Sequence, residues 1–195
     1  MITGSLVAVV FGLVFIEVNS GDLPGNWPLV VRVAGAVLAA GLLAGLVWVA
    51  RKGEVEEKVA SGGFLGRRYW IIVGLEGLAL FGGLSVINGV FKQPEFVVPW
   101  IALVVGVHFV FLGQAWQIDL YKWLGYVQSA LGLAGFALAA TGAALSTVNL
   151  VAGVLSGVAL HATVVIAILQ PVRGSEWPDQ WHGNGSSRGC APTHP

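Results

Sequence analysis

Residues 69–91 read YWIIVGLEGLALFGGLSVINGVF, a run whose one formally charged residue is Glu76. The hydrocarbon core of a bilayer takes about 20 apolar residues in helical form. No water is present there to satisfy an open strand edge, so this run reads as a transmembrane α-helix. Working outward, the same reading applies to residues 1–19, 28–50, 99–119, 121–145 and 148–170. Turn residues separate the runs: Gly21-Asp22-Leu23-Pro24-Gly25-Asn26, then Pro94 and Pro99, then Asp119-Leu120-Tyr121-Lys122. The expected fold is therefore all-α: a polytopic membrane bundle of six transmembrane helices over 1–170, followed by a disordered tail at 171–195.

Composition agrees. Charged residues make up 10% of the 195-residue chain and mean hydropathy is +0.81, against about 25% charge in soluble domains. Ten basic and ten acidic residues cancel, which argues against a nucleic-acid partner. The single cysteine, Cys190, has no internal disulfide partner. The first apolar run has no basic residue ahead of it, so a retained helix is expected rather than a cleaved signal peptide.

Basic residues orient the bundle. Arg51, Lys52, Lys58, Arg67 and Arg68 flank or lie in the one long connection, and Lys122, Arg173 and Arg188 fall on the same side if six spans alternate. In the loops on the other side Lys92 is the only basic residue. The positive-inside rule then places both termini in the cytoplasm and the protein in the cell membrane. The acids of Glu54-Val-Glu-Glu-Lys58 read as a solvated turn. The tail, rich in Gly, Ser and Pro, has no apolar period; Trp177 and Trp181 would anchor it at the interface, and His182 and His194 have no assigned role.

Ionisable groups inside the spans carry the chemistry. Glu17 and Arg32 fall near the outer ends of the first two helices, at matching depth, and read as a structural ion pair. Glu76 lies two turns inside its helix, too deep for a short carboxylate to reach water. Desolvation there favours the neutral acid, a form that donates a proton. His108 and His161 fall near mid-span and are expected to face one central cavity, His108 positioning Glu76 and His161 lining the substrate site. With no HxxxH or HxxE spacing, no metal is expected. Asp119, in register with His108, Phe111 and Ala115 if the helix continues, is a second acid or base or a turn residue. Gln114, Phe81, Phe109, Phe111 and Trp116 are candidates to line a dry, π-rich pocket beside the acid. Gly132–Gly135 and Gly153–Gly157 are small-residue pairs that let helices approach closely. The aspartates are Asp22, Asp119 and Asp179 alone, so there is no DDxxD cluster for magnesium and diphosphate. P-loop, GxSxG and HExxH motifs are also absent, and no cofactor is expected.

Two resemblances follow from these residues. Gly66-Arg-Arg-Tyr-Trp-Ile-Ile-Val-Gly-Leu-Glu76, Pro99-Trp-Ile-Ala-Leu-Val-Val-Gly-Val-His-Phe109 and Tyr121-Lys-Trp-Leu-Gly125 resemble a family of small bacterial membrane proteins of unassigned function. In that family a basic pair precedes a helix bearing a Glu, and a Gly-x-His-Phe stretch lies on the next helix. The resemblance implies that Glu76 and His108 act as a pair. In architecture and chemistry the chain also resembles the membrane-bound terpene cyclases of indole-terpenoid and meroterpenoid pathways. Those use intramembrane acids to protonate an alkene or epoxide without a diphosphate motif. That likeness implies Glu76, with Asp119, as the acids, and a lipophilic isoprenoid or prenylated substrate drawn from the lipid bilayer. The competing expectations are a proton-coupled carrier for a small molecule and a structural membrane subunit.

Overall fold

A computed structural model describes residues 2–51 and 66–169. The long basic connection, including Glu54–Lys58, and the tail with Cys190 lie outside the described residues. All regular structure among the described residues is helical. The elements are α1 (Ile2–Asn19), α2 (Trp27–Arg51), α3 (Arg67–Ser85), α4 (Val97–Trp116), α5 (Asp119–Ala140), α6 (Leu145–Asn149) and α7 (Leu155–Leu169). A π-helical turn, Val86–Phe91, extends α3, and another, Leu150–Val154, joins α6 to α7 into one rod.

Five helical stretches are long and apolar enough to cross a bilayer: Trp27–Arg51, Tyr69–Phe91, Pro94–Trp116, Asp119–Ala140 and Leu145–Leu169. The first helix, apolar over Gly4–Asn19, is shorter than these. Five spans and a shorter apolar helix thus stand where six full spans were expected.

Breaks in the helices have local causes. Ser85 Oγ and Asn88 Nδ2 donate to the carbonyls four residues back, Phe81 O at 2.8 Å and Leu84 O at 3.0 Å. Side chains that take those acceptors loosen the main-chain ladder, and the π turn begins there. Lys92, at φ 53°, then reverses the chain before Pro94. At the other end of α4, Gln117 sits at φ 56° and its side chain caps Gln114 O at 2.7 Å. That left-handed residue ends α4 three residues before Asp119, which instead opens α5.

The core joins α1, α2, α4, α5 and α7 through Val9, Phe15, Leu42, Ala102, Leu124, Leu160 and Val164. No α3 residue belongs to it. Two seams are closed by glycine. A Cβ on Gly125 would lie 2.6 Å from Val110 N, and one on Gly132 2.7 Å from Leu103 N, so α4 and α5 touch backbone to backbone. On Gly157 it would lie 2.5 Å from Gly12 O, which brings α7 equally close to α1. In both seams residue numbers rise on one helix as they fall on the other, so each pair is antiparallel.

The α1–α2 hairpin is tied at its end. Arg32 Nε donates to Glu17 O and to Ser20 Oγ, both at 3.1 Å, and stands 3.8 Å from the Glu17 carboxylate. Asn149 Nδ2 donates to Asp22 Oδ2 at 2.9 Å and fastens the same turn to the α6–α7 rod.

Candidate functional site

Three contacts run along the α3–α4 seam. Tyr69 stacks on Trp116 with ring centres 6.1 Å apart. Glu76 Oε2 lies 2.9 Å from His108 Nδ1. Trp100 Nε1 donates to Ala79 O at 3.2 Å, its indole crossing the helix at Gly83, where a Cβ would collide with it. Positions 69, 76 and 83 recur every two turns on one face of α3. They meet 116, 108 and 100 in reverse order, so this seam is also antiparallel.

The Glu76 and His108 side chains are 25% and 12% exposed. The carboxylate oxygen is close to Nδ1 yet out of line with it, since that nitrogen makes no aligned hydrogen bond. The short distance therefore marks an electrostatic contact that a small rotation would convert into a hydrogen bond. Aromatic rings continue from it. His108 meets Phe109 edge-on at 5.7 Å, Phe109 meets Tyr121 at 6.0 Å, and Tyr121 meets Trp116 at 6.0 Å. Together with Tyr69 these rings form a connected π surface at the α3–α4–α5 junction.

Several residues singled out from sequence lie elsewhere. Asp119 is 83% exposed and holds Lys122 Nζ at 2.7 Å, one turn along α5. The early end of α4 breaks the register that had placed it below His108. His161 is fully buried, but against α1: its Nε2 donates to Val9 O at 3.0 Å, and its ring lies over Gly12. A helix so apolar all round gives no phase to its faces, and His161 turns to α1 rather than towards His108. Phe81 and Phe111, 70% and 53% exposed, point outward, and Gln114 is also exposed. Phe109 and Trp116 alone among the expected lining residues join the π surface.

Sequence reasoning passed over Tyr69, Tyr121 and a cavity of about 580 Å³ between α3, its π turn, α4 and α5. Phe91, Phe96, Trp100, Phe136, Gly82 and Ala79 are among its walls, and Gln93 is a polar group in its lining. The signal was the Gly82-Gly83 pair beside a cluster of aromatics around Pro94. Ala79, in its wall, is three residues from Glu76, one turn along the same face.

Among the described residues no three His, Cys, Asp or Glu side chains gather as a metal site. Apolar helices and their packing define a multi-pass helical membrane protein. No protein-family model, no curated protein and no solved structure matches the chain.

Proposed function

We propose that the protein is a membrane-embedded cyclase that closes rings in a lipophilic isoprenoid or prenylated substrate by protonating an alkene or epoxide. The observation that carries this reading is the Glu76–His108 contact, 2.9 Å long, set in an apolar seam one turn from a large apolar cavity. The Glu76 carboxyl gives its proton to an alkene carbon or epoxide oxygen. The resulting carbocation is attacked by a second alkene, forming the ring carbon–carbon bond. Proton loss from the cyclised cation to the Glu76 carboxylate restores the acid, so the net change is an isomerisation. His108 positions the carboxyl beside the cavity. Aromatic faces in the cavity wall, Trp100 and Phe136 among them, stabilise the cation without capturing it. In this scheme Asp119 has no proton to deliver, being out in solvent on α5.

The register of the seams sets the depth of the polar residues. Glu76 meets His108; Gly106 meets Gly125 and Ser129; Gly135 meets Ala152; His161 meets Val9. Counting from these contacts, Glu76, His108, Gln128 and His161 share one depth to within about a turn. They form a polar layer across the bundle beside which a bound substrate meets the acid. With α1 as a sixth span, both termini face the cytoplasm and the cavity lies in the outer half.

The test is expression in a bacterial host supplied with prenylated substrates, with mass spectrometry of lipophilic extracts. A new isomer formed by the parent protein and lost in Glu76→Gln, at equal folded protein, is the expected result. Equal product from Glu76→Gln would overturn the assignment.

A further inference from the structure

We infer that the cavity between α3, α4 and α5 is the subsite for the branched, unsaturated hydrocarbon chain of an isoprenoid, with Gly82 setting the room available. The inference rests on the cyclase reading above and says where the substrate lies. The walls are built for an apolar guest: Phe91, Phe96, Trp100 and Phe136 turn four aromatic side chains to it, and Phe96 stacks on Phe136 at 5.7 Å. At about 580 Å³ the space has room for a small organic molecule, and it is open on one side rather than enclosed. Its shape is fixed rather than incidental. The Trp100 indole is pinned by its bond to Ala79 O and by the missing side chain at Gly83, so this wall cannot fold inward.

Gly82 has the opposite surroundings. A Cβ there meets nothing within 4 Å, so the cavity owes part of its volume to that absent side chain. The Ala79 wall brings a chain seated in the cavity to within one helical turn of Glu76. Gln93 supplies a hydrogen-bonding group for a ligand's polar end. An acyl chain of a membrane lipid shares the apolar chemistry. The aromatic faces and the acid one turn away select instead a chain with π bonds to stack and to protonate.

The experiment uses the full-length protein in lipid nanodiscs and a diazirine analogue of farnesol, with crosslinked peptides mapped by mass spectrometry. Crosslinks are expected on the peptide carrying Phe91, Phe96 and Trp100. They should fall at least about tenfold in Gly82→Phe, because the new ring takes the volume of several buried carbons. Gly41→Phe, on α2 where a Cβ also meets nothing within 4 Å, should crosslink as the parent does. Excess farnesol should compete and excess hexadecanol should not. Undiminished crosslinking in Gly82→Phe, or equal competition by the straight chain, would overturn the subsite. Crosslinking is also measured in Glu76→Gln, where binding should persist. Crosslinks at the cavity with product unchanged in Glu76→Gln would remove the cyclase reading and leave a binding site. Product dependent on Glu76 with no crosslink there would remove the subsite alone.

Discussion

Gly12→Ala is a stringent test of the α1–α7 crossing. The added methyl carbon would sit 2.6 Å from His161 Cδ2, 2.7 Å from its Nε2 and 3.0 Å from Gly157 O. Carbon contacts relax at about 3.5–4.0 Å, so the imidazole or the whole helix must move by about 1 Å. Overpacking of this kind costs about 1–3 kcal/mol. The same movement lengthens the His161–Val9 bond, now 3.0 Å, and a buried donor left without its acceptor costs a further 1–3 kcal/mol or so. Against this, alanine gains about 1 kcal/mol over glycine in a helix. The net expectation is a loss of about 1–5 kcal/mol, the two costs less the helical gain. Gly41→Ala provides the reference, since its Cβ meets nothing and only the helical gain of about 0.5–1 kcal/mol remains. Unfolding by sodium dodecyl sulfate in mixed micelles, followed by far-UV circular dichroism, gives both values on one scale. If the two variants unfold at the same detergent fraction, the close crossing and the His161 lock are wrong.

The remaining predictions concern the dyad, the hairpin tie and the topology. His108→Phe keeps a ring against Phe109 but takes the nitrogen from Glu76; turnover should fall about 100-fold or more, and unchanged turnover would reduce His108 to packing. Arg32→Ala should cost about 1–2 kcal/mol in micelle unfolding because two hydrogen bonds go with it. Glu17→Gln should cost less than about 0.5 kcal/mol, as expected for a partly exposed ion pair; the reverse order would mean that the carboxylate holds the hairpin. In intact cells, Lys92→Cys on a Cys190→Ser background should react with an impermeant maleimide while the parent Cys190 stays unlabelled. Labelling of Cys190 instead would invert the topology.

Spans were legible because hydrocarbon imposes one strong rule on every residue that enters it. The Glu17–Arg32 pairing could be read for the same reason: two charges at equal depth on a hairpin have few other partners. Glycine pairs announced close crossings, though not which helix would arrive. Facing directions were hidden. In a soluble helix the polar stripe marks the outside, but α7 is apolar on all sides, and His161 was as free to face α5 as α1. Boundaries failed where a single residue left the helical region. Gln117 has nothing in its side chain that demands a positive φ, yet its turn detaches Asp119 from α4 and removes it from the acid's neighbourhood. The cavity was missed because it depends on Gly82 meeting nothing while Gly83 meets Trp100, a distinction between adjacent identical residues.

Glu76 comes from the one long helix that gives no side chain to the core, whereas His108 comes from a helix locked into it by its glycine seam with α5. Acid and nitrogen are therefore brought together by docking, and a single equilibrium governs both the position of α3 and the existence of the pair. Were α3 displaced, the carboxyl would face lipid alone and the cavity would lose a wall in the same movement. Chemical competence in such a molecule is conditional on assembly, so conditions that loosen the α3–α4 seam should silence the protein well before they unfold it.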